Sequence, residues 1–207
     1  MVNGFRVITK LTVAGLFLLF AGCGGKGEKV ELPDVKFVMK LPSGWVNDRA
    51  TRGNSDYKQF YEAGKYGVVW GDISVGPLES HDIFTGKTKK VNTLVEYVND
   101  IFKDQEKLSA MFAGMGKALG KTVGGEAGER IKEEVKEGTS LPIISKTQRT
   151  INGFEAIEVV LNTPVSAFNV YIRKDDKVIA VSFMAPREEF SGHEVSFRNS
   201  IESIKIR

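Results

Sequence analysis

The sequence predicts an α+β domain, a single curved antiparallel β-sheet with helices packed on its faces. Three observations lead there. Segments of period-two or nearly continuous apolar character cluster on both sides of one central stretch. That central stretch, from Thr93, repeats its apolar residues at three- and four-residue steps. Tight-turn residues join neighbouring strand segments. Strands grouped between helices, not strictly alternating with them, indicate α+β.

The elements follow in order. Val35, Phe37, Met39 and Leu41 alternate with polar residues, the pattern of a half-buried strand, and Pro42-Ser43-Gly44 ends it. Residues 57–61 and 67–75 read as two more strands, a potential hairpin with Gly64 in the turn. In the second, Val69, Gly71, Ile73 and Val75 share one face. A polar stretch over 79–91 leads to Leu94, Val95, Val98, Ile101 and Phe102, an amphipathic helix stripe. Asn92 or Thr93 is its N-cap, with Glu96 set for a capping box behind Thr93. The stripe continues through Leu108, Met111, Phe112, Met115 and Leu119.

The C-terminal third is more regular. Residues 143–150 predict a strand, Asn152-Gly153 a tight turn, and 154–161 a second strand. Pro164 belongs in a turn or at an edge. Residues 167–173 and 178–184 read as a hairpin about Asp175-Asp176-Lys177. The returning strand is apolar enough to be central. Pro186 to Phe190 opens a last helical region, in which Val195, Phe197, Ile201 and Ile204 are apolar.

The N-terminus has a different character. Arg6 and Lys10 precede an uncharged apolar run over 11–21, and small residues follow. A basic flank, a short apolar run and small residues at a cut make a secretory signal. A run of about eleven residues is too short for a spanning helix, which needs about 20. The segment Leu19-Phe20-Ala21-Gly22-Cys23 resembles the bacterial lipobox, with Phe20 in place of the usual leucine. The resemblance implies cleavage between Gly22 and Cys23 and lipidation of Cys23. Several acyl chains on one residue anchor stably. Residues 1–22 are thus expected as a signal peptide, 23–34 as lipidated cysteine and flexible tether, and 35–207 as the domain. The expected location is the cell envelope. With Gly24 rather than an acidic residue after Cys23, a two-membrane host would place it on the outer membrane, facing the periplasm.

Composition narrows function. The chain is 42% hydrophobic and 27% charged, an ordinary globular balance. Without Arg6 and Lys10 the mature chain has 27 basic against 26 acidic residues, which gives no electrostatic case for nucleic acid. A lone cysteine forms no intramolecular disulfide, and with only His81 and His193 there is no metal-ligand spacing and no expected cofactor. His193, placed before the last helix, is expected in solvent. Asp175 and Asp176 read as turn residues rather than an acidic pair. Ser43, Ser182 and Ser200 lack a nucleophile-elbow context. Trp45 is expected in packing, with ligand stacking as its other reading. No catalytic set emerges.

Several short stretches carry a family resemblance. They are Leu41-Pro42-Ser43-Gly44-Trp45, Ile151-Asn152-Gly153-Phe154-Glu155-Ala156, the strand 178–183 with Ala185-Pro186, and Phe197-Arg198-Asn199-Ser200-Ile201. Their order resembles the PsbP/Mog1-type α/β/α sandwich over roughly Val35–Ile206. The resemblance implies a binding or accessory role without a shared catalytic residue. The chain departs from the compact pattern at about 103–140, an expected insertion. There Gly116, Gly120, Gly124 and Gly128 form either a smooth helical strip or a mobile loop, the loop being preferred because each interior glycine weakens a helix by about 1 kcal/mol. Met111, Phe112, Met115 and Leu119 form a possible partner-binding surface. The expected function is a lipid-anchored accessory module for an envelope protein. Small-ligand binding and an unrecognised enzyme rank second and third.

Overall fold

A computed structural model describes residues 28–65, 67–81, 87–103, 114, 121, 124–125, 129, 143–163 and 165–207. Pro164, the apolar stripe beyond Phe102, Gly116, Gly120 and Gly128 lie outside the described residues, as do the N-terminal signal and Cys23.

The chain enters as a strand, β1 (Lys29–Leu32), where a tether is expected. The domain therefore begins at about residue 28, not 35. Val30 and Leu32 are buried while Lys29 and Glu31 face water, so period-two burial already operates here. A 3₁₀ turn over Pro33–Val35 follows, closed by Lys36 in the left-handed region (φ 49°). It splits the expected strand 35–41, leaving β2 (Phe37–Lys40) paired antiparallel with β1. Pro42-Ser43-Gly44 then turns the chain. Gly44 has φ 80°, and Trp45 N donates to the Pro42 carbonyl at 3.2 Å. Glycine suits that position because a left-handed conformation strains other residues.

The main sheet follows. Its strands are β3 (Trp45–Asn47), β4 (Tyr57–Glu62), β5 (Trp70–Pro77), β8 (Ile143–Ile151), β9 (Phe154–Leu161), β10 (Val165–Lys174) and β11 (Lys177–Pro186). They lie in the order β3-β4-β5-β11-β10-β9-β8, all antiparallel. As the apolar character of 178–184 predicts, β11 is central, with β5 on one side and β10 on the other. The β8–β9 turn has φ 51° at Asn152 and 84° at Gly153, the positive pair of a type I′ hairpin. The β10–β11 turn is Asp175-Asp176, and the Asp176 carbonyl accepts from Leu78 N at 2.7 Å. Among the described residues there are also two small sheets. Residues 79–81 (β6) pair with 88–90 (β7), and the last strand, β12 (Lys205–Ile206), adds to β2.

Among the described residues two helices flank the main sheet. Helix α1 (Leu94–Ile101) starts as its sequence demands, with Thr93 Oγ1 accepting from Glu96 N at 3.0 Å. The Glu96 carboxylate reaches back to Asn92 N at 3.1 Å, one residue beyond the usual capping box. Helix α2 (Arg187–Glu202) starts directly after Pro186, with Glu188 and Glu189 in its first turn. Acidic residues there complement the helix dipole.

The sheet separates two cores. On the α2 side Trp45, Phe60, Ile73, Phe168, Phe183, Phe197 and Ile201 join the buried residues of β1, β2 and β12. The rings of Phe183 and Phe197 stack at 4.7 Å and 15°, and Trp45 meets Phe197 edge-on at 5.6 Å. On the α1 side Leu94 and Val98 pack on Ile157, Val159, Ala167 and Tyr171. Helices on both sides of one antiparallel sheet make an α+β sandwich with no closed barrel.

One close approach in the larger core is testable. A Cβ on Gly71 would stand 2.4 Å from Phe60 Cε2 and 2.4 Å from the Ser182 carbonyl oxygen. The ring can shift but the sheet backbone cannot do so cheaply. Gly71→Ala is expected to cost about 1–3 kcal/mol, read as a lower urea midpoint at unchanged slope. An unchanged midpoint would contradict the packing described.

Candidate functional site

Alternation and register decide which side chains share a face. Phe60 and Ile73 belong to the α2-side core, so Gln59 and Asp72 face the α1 side. The pairings Gln59–Asp72, Asp72–Ser182 and Ser182–Asn169 set these four polar residues in one row across β4, β5, β11 and β10. The row continues to Val159 and Lys146 on β9 and β8. One neighbouring row holds Tyr61, Trp70, Met184 and Ala167. The other holds Tyr57, Ser74, Ala180 and Tyr171. A polar line thus runs between two rows that contain aromatic rings.

Cover over this face is uneven. Helix α1 packs on β9 and β10, and Tyr97 and Phe102 meet Tyr171 at 6.1 and 6.3 Å. No described helix packs extensively on β4 or β5 from this side. Gln59, Tyr61, Trp70, Asp72, Ser182 and Met184 are all half-buried, whereas Asn169 is buried. Desolvation pushes the Asp72 carboxyl up to about 6. Burial, and then the nearby Tyr97 and Asp72, push the Tyr171 phenol well above its ordinary value. Among the described residues no hydrogen bond or ion pair reaches the Asp72 carboxylate.

Other polar clusters join elements together. Glu158, 5% exposed, accepts from Arg149 at 3.1 Å and from Arg198 at 2.6 Å, which ties β9 to β8 and α2. The Arg198 guanidinium also sits 4.9 Å over the Phe168 ring. His193 lies within α2, not before it, and is mostly buried rather than in solvent. Its ring stacks on Phe197 at 5.6 Å, and its Nε2 is 3.6 Å from Glu62 and 4.0 Å from Glu189. Lys65 bonds Glu189 at 2.8 Å, and this contact raises the lysine's pKa. These contacts pin α2 to the β4–β5 turn. A shallow cleft of about 380 Å³ lies at one end of the sheet among Leu78, Lys90, Asn92, Arg173 and Asp176.

The residues singled out in the sequence fall variously. Cys23, Gly22, Met111, Phe112, Met115 and Leu119 lie outside the described residues. Trp45 is 3% exposed and surrounded by Phe60, Phe183 and Phe197, which leaves it no ligand to stack on. Asp175 and Asp176 form the hairpin turn. Ser200 Oγ donates to the Ser196 carbonyl within α2. Ser182 contributes to the polar row. Among the described residues no three His, Cys, Asp or Glu side chains converge as metal ligands would, and no helix is long and apolar enough to cross a membrane. Sequence reasoning passes over Trp70, Asp72, Gln59 and Asn169. Period two assigns each to a strand face, but only the register brings them together.

No family model matches the chain, and no curated protein matches its sequence. Its backbone is similar to the solution structure of cyanobacterial PsbP (CyanoP) from Synechocystis sp. PCC 6803. The identity is 12%, 91% of this chain and 99% of that chain are covered, and the TM-score is 0.49. A structure from Bacteroides thetaiotaomicron is similar at 14% identity, with 88% of this chain covered and a TM-score of 0.43; the match spans 49% of that protein. A protein of unknown function from Pseudomonas aeruginosa is similar at 10% identity, 88% and 99% coverage and a TM-score of 0.39.

The Asp72 shift has a definite sign in stability. Its folded pKa of about 6 exceeds the ordinary 3.8, so the folded state binds the proton more tightly than the unfolded chain. Stability therefore falls as pH rises between those values, and the loss is complete above the upper one. Asp72→Asn removes the loss. The variant is expected to gain about 2–3 kcal/mol at pH 8 and nothing near pH 3, read from melting temperatures at both pH values. Equal melting temperatures at pH 8 would contradict the burial of this carboxyl.

Proposed function

We propose that the chain is a binding module of the cell envelope, anchored by lipid on Cys23, which recognises a protein partner through the β4–β5–β11 face. The observation that carries this reading is the polar row with its aromatic neighbours, half-buried on the α1 side of the sheet and without extensive helix packing on β4 or β5 among the described residues. Patches that combine aromatic rings with a few polar groups are the composition of recognition surfaces. The row supplies hydrogen-bonding groups, and among the described residues no hydrogen bond joins the Ser182 hydroxyl to the Asp72 carboxylate opposite it, so its chemistry suits binding rather than bond breaking.

The proposed anchor lies close to the domain in sequence. Five peptide steps from Cys23 to Glu28 reach at most about 18 Å. Glu28 is in turn fixed by the Asn47 backbone and side-chain nitrogens at 2.9 and 3.0 Å. A lipid on Cys23 would hold the β1 end of the sandwich close to the bilayer and leave the sheet face free to meet a neighbouring envelope protein. The apolar residues Met111, Phe112, Met115 and Leu119 are a second candidate contact within the same proposal. The cleft near Leu78 and Arg173 favours small-ligand binding as the alternative.

The test is photocrosslinking in living cells, with a photoreactive residue at Gln59, at Phe112 or at Val195, the last exposed on α2. One stoichiometric envelope partner captured from position 59 and absent at 195 is the expected result. Capture from 112 alone would move the contact to the second candidate. Abundant bystanders from every position would overturn the reading. Cys23→Ser is expected to release the protein from the membrane fraction, and retention there would overturn the anchor.

A further inference from the structure

The half-covered face has an imbalance of charge. Across β4, β5, β11, β10, β9 and β8, the polar row and its two neighbours contain one acid, Asp72, and one base, Lys146. Lys146 stands at the far edge, four strands from Asp72, and is taken by Asn99 of α1. Arg173, beyond the row of Tyr171, donates to the carbonyls of Asn92 and Asp175. Among the described residues, nothing cationic answers Asp72. Among these residues the half-buried carboxylate has lost solvation and has no counter-charge to offset the loss.

Trp70 lies two residues before Asp72 on the same face, about 7 Å along the strand. Tyr61 is directly opposite Trp70 on β4. An indole face beside a carboxylate suits a delocalised cation, since the ring quadrupole attracts the charge while the carboxylate takes its N–H groups. The surrounding amides and hydroxyl of Gln59, Asn169 and Ser182 add donors and acceptors but no competing charge. The patch is a half-buried sheet surface of roughly 10 by 14 Å, from strand and residue spacings. A free small amine would be better held in a concave site, whereas a side chain presented by another protein needs only such a landing surface.

Resting on the binding reading above, we infer that the β4–β5–β11 face receives a basic side chain, arginine above all, of the partner protein, laid on Trp70 with Asp72 as its counter-charge. Arginine is favoured over lysine because its planar guanidinium stacks on a ring and bonds a carboxylate at once. Asp72 fixes the position of the incoming group, and Trp70 supplies its contact area.

The experiment uses the full lipidated chain in detergent micelles and two probe peptides. One carries three arginines separated by Gly-Ser, and the other has citrulline in their place, with the same shape and no charge. Trp70 reports binding by its fluorescence, because Trp45 is buried. Saturable change with the arginine peptide at millimolar concentration is expected, with none from citrulline. Asp72→Asn is expected to weaken binding about tenfold, and Trp70→Phe to abolish the signal. Asp72→Asn removes a destabilising charge, so weakened binding cannot be put down to unfolding. No saturation with the arginine peptide, equal response to citrulline, or unchanged affinity in Asp72→Asn would each overturn the inference. Since crosslinking from Gln59 does not depend on Asp72, a partner captured there with a negative peptide result would sink this inference and leave the binding reading standing.

Discussion

The contact on which the rest of the structure depends is the stack of Phe183 on Phe197. Phe183 is on the central strand and Phe197 in the last helix, so one ring pair fixes α2 across the sheet. Trp45 closes on both rings edge-on, and Phe60 sits 5.4 Å from Phe183. Aromatic pairs of this kind contribute about 0.5–1.5 kcal/mol each beyond their buried area. The cluster joins four elements far apart in sequence. It also explains Gly71, the one place in β5 where a side chain would displace the Phe60 ring.

With that side sealed, the opposite face of the sheet need not be apolar throughout. Under α1 it is, with Ile157, Val159 and Tyr171 packed on Leu94 and Val98. Towards β4 and β5 it is not. The polar row crosses a sheet already held in place from behind, so Asp72 can stand in an unfavourable setting without loosening the fold. The larger, aromatic core lies on one side of the sheet, and the smaller core and the polar row share the other.

Much of the architecture is legible in the sequence. The alternation of β9 and β10, the Asn152-Gly153 turn, the Asp175-Asp176 turn and the Thr93–Glu96 cap are local signals, and local physics satisfies each of them. Elements too short to carry a period are not legible: β3 has three residues and β12 two. β1 has a signal in Val30 and Leu32, masked by the polar residues around it. His193 is misplaced because the start of α2 depends on Pro186 closing the strand, which puts seven residues of helix up to and including the histidine. The candidate site is the least legible part. Gln59, Asp72, Asn169 and Ser182 are spread over more than a hundred residues, and only the register of four strands makes them a row.

One tryptophan, Trp45, is sealed in the core and the other, Trp70, stands half-buried on the opposite face of the sheet. Acrylamide quenching of the folded protein tests this contrast most directly. Two populations of emission are predicted, one protected and one accessible, with the accessible one lost in Trp70→Phe. A single protected population, or an accessible one that survives in Trp70→Phe, would contradict the account.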